Sequence, residues 1–386
     1  MLRKIFFWLH KWLGLATGLV VLIVSLTGCI TVFSDELKEY FYHERYYVEP
    51  ERDGNFLNFS QLHNQAQKAL GPEIKISRCE IYPTNGRTWV FRASLTDKKG
   101  FGYWNHYKYY YRVYINPYNG KVVHMENTRN EFFQVVLNLH MNLLLGDTIG
   151  TMVTGISVLC FFILLLSGFV LWFPKKWKYK AFKKGLVFKP DAGKKRMNYD
   201  LHNILGFYAL IPAMLISITG LVFAFSWADQ SVQFLANGGK VAEKRIIPLS
   251  TPNETYNPQP TDSAIAQIFK LHPQADALSI RFREKNTDPF DVQVRLAKNR
   301  THLFEWYYFD RNNGKVLMRY GDQDVKGGEK FRTMNYDLHT GAFTGIPTKL
   351  VAFFVSLICA TMPITGFLIW YNRGKKSKKS KKVVLV

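Results

Sequence analysis

The sequence predicts an α-helical membrane protein with four transmembrane helices, arranged as a tandem two-helix repeat, and two inserted extracytoplasmic α+β domains. Three observations predict it. Four apolar runs, near 5–33, 149–173, 203–227 and 348–371, are each long enough to cross a hydrocarbon core of about 30 Å, which takes about 20 residues. Polar stretches, 34–133 and 228–332, separate the first run from the second and the third from the fourth. Short phrases recur across the two halves. Leu9-His10-Lys11-Trp12-Leu13-Gly14 is answered by Leu201-His202-Asn203-Ile204-Leu205-Gly206, and Ser25-Leu26-Thr27-Gly28 by Ser217-Ile218-Thr219-Gly220.

The chain divides in order. Residues 1–33 form the first membrane helix and 34–135 the first inserted domain. Residues 136–174 form a pre-helix and the second membrane helix, 175–200 a basic loop, and 201–228 the third helix. Residues 229–332 form the second inserted domain, 333–372 a pre-helix and the fourth helix, and 373–386 a basic tail. Within the first domain, Phe59–Leu70 reads as a helix and Thr88–Leu95 as a strand. Asp262–Leu271 and Asp291–Leu296 repeat that order in the second. Each domain then carries a strand, an Asn-Gly turn and a strand: Tyr114-Ile115-Asn116 to Gly120-Lys121-Val122, and Tyr308-Phe309-Asp310 to Gly314-Lys315-Val316. The aromatic run Tyr103–Tyr111 reads as an alternating strand, with stacking on a planar or hydrophobic ligand as its functional alternative.

The net charge is +22 and uneven. The N-terminus, the loop 174–200 and the tail 373–386 hold 20 of the 51 Lys and Arg residues against two acids, Asp191 and Asp200. The positive-inside rule assigns these segments to the cytoplasm and the domains to the outside of a cytoplasmic (inner) membrane. Basic clusters abutting membrane helices read as topology signals facing a lipid bilayer, not as a nucleic-acid surface. The first run continues past Gly28 without a small-x-small cleavage pattern, so it is expected to stay as an anchor. Of the four cysteines, Cys29, Cys160 and Cys359 fall in membrane runs, and no paired-cysteine motif is present.

The hairpins, the helix-start His-x-x-x-Gly and the later Thr-Gly resemble the PepSY-associated transmembrane family over essentially the whole chain. That family includes inner-membrane reductases of ferric siderophores. The resemblance implies two PepSY-like units and a transmembrane electron carrier bearing b-type haem. It also implies a ferric siderophore or other ferric chelate as substrate.

Four histidines carry the chemistry. His10 and His202 open the first and third helices, and His140 and His339 stand before the second and fourth. Neutral imidazoles on facing helices are the usual axial ligands of low-spin haem, and the repeat pairs His10 with His202 and His140 with His339. The expectation is two bis-His haem b groups, with the four histidines as ligands of the haem iron. Proton relay or another metal site remains the alternative for intramembrane histidines. Gly14 and Gly206, four residues after their histidines, are expected to make room for a flat cofactor, and Lys4 and Arg196 to face its propionates. Gly28 and Gly220 read equally as haem contacts or as helix packing. His10 to Phe33 spans about 35 Å of helix, so one haem at each face would divide the crossing.

The chain has no Gly-x-Gly-x-x-Gly after a strand, so the electron donor is expected to be another cytoplasmic protein, a quinol or a soluble flavin. The alternative function is a non-enzymatic PepSY membrane protein that binds or regulates an extracytoplasmic partner, or a transporter. Asp147, Glu131 and Glu126 are candidates for binding iron directly at the outer site, with ordinary surface acids as the alternative reading.

Overall fold

The computed structural model describes the chain except residues 51–54, 98–99, 175–177, 190–192, 242–244, 253–258, 284, 286 and 383–386. Parts of the basic loop 175–200 and of the tail 373–386 therefore lie outside the described residues.

Four helices are long and apolar enough to cross a membrane: Leu2–Val32, Ile149–Trp172, Lys194–Ala224 and Ile346–Arg373. The first packs against the second and fourth, and the third against the same two, so the first and third face each other across the bundle diagonal. Small and hydroxyl side chains line the buried seams, among them Gly18, Gly155, Ala213, Ser217 and Ala360. Without a hydrophobic drive between helices in lipid, such residues permit close backbone approach.

The third span is interrupted at its start. Leu201–Leu205 is a π-helical turn between the α-helical segments Lys194–Asp200 and Gly206–Ala224. Single π turns within α-helices concentrate at functional positions, and this one carries His202.

Beyond one end of the bundle lies an eight-stranded antiparallel sheet of order β4-β3-β2-β1-β5-β6-β7-β8. The first unit supplies β1 (Arg78–Ile81), β2 (Trp89–Thr96), β3 (Tyr107–Ile115) and β4 (Val122–Asn127). The second supplies β5 (Ala277–Arg281), β6 (Phe290–Ala297), β7 (Arg300–Phe309) and β8 (Val316–Gly321). β1 and β5 pair directly, from Arg78 opposite Arg281 to Ile81 opposite Leu278. The two inserted α+β units are thus joined into one layer, and each covers the strand edge that the other would expose.

Helices Phe59–Leu70 and Gln259–Leu271 cover one face of this sheet. Asn58 and Gln61 form a capping box at the start of the first. Their apolar sides share one core with Cys79, Phe91, Val113, Ile280, Val292 and Phe309. Ser60 bonds Asp262 through its N–H (2.8 Å) and its hydroxyl (2.6 Å), tying the two helices together.

The aromatic run departs from the expected strand. Tyr103–His106 is a helical turn, and only from Tyr107 does the chain become β3. Tyr103, His106 and Tyr110 are buried, while Trp104, Asn105 and Lys108 are exposed. Tyr103 N–H donates to the Leu144 carbonyl, and His106 Nε2 lies 3.0 Å from Asp147 Oδ2.

Candidate functional site: two facing imidazole pairs

The structure brings His10 to His202, with ring centres 6.2 Å apart, and His140 to His339, with ring centres 6.1 Å apart. The first pair spans the bundle diagonal at the end away from the sheet. The second lies at the sheet end, on the helices Phe132–Asn142 and Gly327–Thr340 that precede the second and fourth spans.

Each imidazole has the same seat. A Ser or Thr hydroxyl lies beside its Nδ1, and the glycine that follows lies under its Cε1. His10 Nδ1 is 2.9 Å from Ser167 Oγ, and His202 Nδ1 is 2.9 Å from Thr365 Oγ1. His140 Nδ1 is 3.3 Å from Thr27 Oγ1, and His339 Nδ1 is 3.0 Å from Thr219 Oγ1. A Cβ on Gly168, Gly366, Gly28 or Gly220 would stand 3.2–3.3 Å from the ring carbon of its histidine. A side chain at any of these positions would crowd the imidazole that lies against the neighbouring helix. At the far end the first and third spans supply histidines and the second and fourth supply seats. At the sheet end the first and third spans supply the seats.

The hydrogen bonds fix the tautomer. Val24 O accepts from His140 Nδ1 at 2.9 Å and Ile216 O from His339 Nδ1 at 3.1 Å, and a carbonyl can only accept. Ser167 Oγ already donates to Leu164 O, and Thr365 Oγ1 to Thr361 O, so each accepts from its histidine. All four rings therefore carry the proton on Nδ1 and keep the Nε2 lone pair, as metal-bound histidines do when their other ring N–H is donated to a neighbouring oxygen. Burial, and at His339 the neighbouring His140 as well, lowers the pKa of both sheet-end rings, that of His339 to about 4, which favours the neutral imidazole.

The spacing suits a metal between the rings. With about 2 Å from metal to each nitrogen and about 1.1 Å from nitrogen to ring centre, two opposed imidazoles stand about 6.2 Å centre to centre. Among the described residues no group of three His, Cys, Asp or Glu side chains could hold an ion. Two imidazoles alone suit a metal that brings its other ligands with it, not a structural zinc, which takes four.

The sheet-end helices are held firmly. Glu131 caps Phe132–Asn142, accepting from Phe133 N (2.8 Å) and Gln134 N (2.9 Å). Leu143 and Leu144 then both take positive φ, which is uncommon outside glycine. Asp337, two residues before His339, is fully buried and accepts from Thr301 Oγ1 (2.9 Å), His302 N (2.8 Å) and His302 Nδ1 (2.5 Å). This anchors the His339 helix to β7.

A Cβ on Gly14 would meet Leu164 (3.8 Å), and one on Gly206 would meet Met362 Sδ (3.4 Å), so both lie at helix contacts. Arg196 pairs with buried Asp200 at 2.8 Å, and Lys4 is exposed. Glu126 pairs with Arg45 and Arg112, and Asp147 with His106. Ser167-Gly168 and Thr365-Gly366 are additional to the residues read from sequence. The signal available was a Ser/Thr-Gly dipeptide in every one of the four spans.

No curated protein matches the chain. The profile of the PepSY-associated TM region matches residues 7–373, and the chain, a multi-pass membrane protein, belongs to that family.

Proposed function

We propose that the chain is a dihaem b membrane oxidoreductase that carries electrons across the inner membrane and reduces ferric iron in a siderophore or similar chelate outside it. His10 with His202 would hold one haem, and His140 with His339 the other. Bound haem iron supplies reversible one-electron chemistry. The chain's own residues do the rest. Ser167, Thr365, Thr27 and Thr219 hold the imidazoles in the Nδ1–H form, and the adjoining glycines set each ring close to its neighbouring helix.

The observation that carries this reading is the matched pair of imidazole clamps with free Nε2 atoms. Along the first span, His10 and the Gly28 seat are 18 residues apart, or about 27 Å. Two relay points at that separation divide a crossing too long for one step. The basic N-terminus, loop and tail support a cytoplasmic far end and an extracytoplasmic sheet. Reduction releases iron because the ferrous ion carries less charge and hard oxygen chelators hold it less tightly. One electron is consumed per ferric ion, supplied by a separate reductant such as a quinol or flavin.

Purified protein should be red, with reduced b-type bands and two haems per chain. His10→Ala or His202→Ala should remove one haem, and His140→Ala or His339→Ala the other. A colourless preparation from haem-replete cells would sink the proposal. If haem is present, reduced protein should be reoxidised by a ferric chelate in stopped flow.

A further inference from the structure

One row of the sheet breaks the ordinary rule for cross-strand neighbours. On the face opposite the covering helices, direct partners run Glu126, Arg112, Arg92, Arg78, Arg281, Asp291 and Tyr308 across β4-β3-β2-β1-β5-β6-β7. Four consecutive strands thus place arginines directly opposite one another, although like charges so placed are destabilising. The flanking acids are already engaged. Glu126 takes Arg45 at 2.7 Å and Arg112 at 3.5 Å, and Asp291 takes Arg283 at 2.9 Å and the Trp306 indole at 3.0 Å. Arg281 reaches Asp291 only at 4.0 Å.

Among the described residues no carboxylate forms an ion pair with Arg78 or Arg92. Glu80, on the same face one pleat along from Arg78, accepts from Tyr82 at 3.5 Å. The Nε atoms of Arg92 and Arg281 are buried without a hydrogen-bond partner. Burial and the charges of Arg92 and Arg281 push the Arg78 pKa down to about 10. Buried donors left unmade cost stability, so the row is expensive unless something with negative charge meets it.

The row faces the membrane end of the domain. Arg295 shares its face, and Glu126 in the row pairs with Arg45, on the segment that follows the first span, at 2.7 Å. Lys38, on the segment that follows the first span, adds a further positive charge near Arg112.

We propose that Arg78, Arg92 and Arg281 form the binding site of a carboxylate-rich anion, and that the ferric chelate reduced by this protein is a negatively charged polycarboxylate complex. The second half of this statement rests on the reductase reading above; the first does not. Guanidinium forks match carboxylates in geometry as well as charge. Carboxylates could come from a soluble chelate or from the propionates of a haem at the His140–His339 pair, and the test separates the two.

The test uses the full-length protein in nanodiscs, with gallium(III) citrate as a redox-inert probe followed by calorimetry. Saturable binding is expected, weakening with added salt and weakening about tenfold or more in Arg78→Gln and in Arg92→Gln. A neutral gallium trihydroxamate should not bind at this site. Arg319→Gln, whose partner Glu305 lies away from the row, should bind citrate as the parent does. Because the substitutions relieve like-charge contact, Arg78→Gln should melt no lower than the parent.

Equal affinity in both glutamine variants, or equal binding of the neutral complex, would overturn the proposal. Loss of about half the b-type absorbance in Arg78→Gln with citrate binding unchanged would assign the row to propionates and overturn the substrate. Gallium binding needs no electron transfer, so a colourless protein that still binds citrate would refute the reductase reading alone.

Discussion

A methyl group on Gly220 is the smallest change that reaches an imidazole. Its Cβ would lie 3.3 Å from His339 Cε1, with the ring pinned between Ile216 O and Thr219 Oγ1. Gly220→Ala should therefore displace the sheet-end ring and leave His10 and His202 untouched. Thr219→Val keeps the volume and removes the acceptor. Losing the group that holds a ligand imidazole costs about 10–100-fold in metal affinity. Haem content per chain in reduced spectra should fall toward one in both variants; a value still at two after extended washing would show that the seat does not hold the ligand. Asp337 makes a different kind of contact. Removing its buried carboxylate with Asp337→Ala strips three acceptor bonds from β7, and the loss should be about 3 kcal/mol in thermal or denaturant unfolding.

The π turn at Leu201–Leu205 is a device of one element. It inserts an extra residue into the third span just where His202 must face across the diagonal to His10. Deleting Asn203 should restore α geometry and change the direction in which His202 leaves the helix. The far-end pair should then be lost, while the sheet-end pair, which takes only Thr219 and Gly220 from this span, survives. Spectra would show one b-type species remaining. The four spans and both Asn-Gly hairpins were readable from sequence because length, apolarity and turn chemistry act over neighbouring residues. The helix of the third span starts at Lys194, ahead of its apolar run, because the basic residues there continue it. Tyr103–His106 departs from the expected strand: aromatic residues favour strands in general, while here the turn bonds Leu144, about forty residues further along the chain, through the Tyr103 N–H.

At the scale of the molecule, the β1–β5 pairing and the shared core make the two inserted units one mechanical body. Unfolding of the sheet domain should be a single transition sensed equally from either half. Leu62→Ala and Ile268→Ala, both fully buried in that core, should each cost about 2–5 kcal/mol and shift the same transition. Two separable transitions would show that the halves unfold alone. Membrane orientation is testable at the same scale: a reporter active only outside the cytoplasm should be silent when fused after Arg373 and active when inserted in the Asn119–Gly120 turn.

The apolar runs, the hairpins and the four histidines are written in contiguous stretches of chain, and the repeat itself indicated which histidine answers which. That reading needed only helix period, span length and spacing. The seats at Ser167-Gly168 and Thr365-Gly366, the Nδ1–H tautomers and the 6 Å approach of the rings depend on how four helices pack, which no local pattern encodes. The arginine row is the extreme case. Arg78, Arg92, Arg112 and Arg281 look like ordinary strand residues of alternating polarity, and they become a concentrated charge only when β1 pairs with β5 across about two hundred residues of sequence. Strand order and register are settled by burying the opposite face, so the chemistry of this face follows from packing, not from any motif.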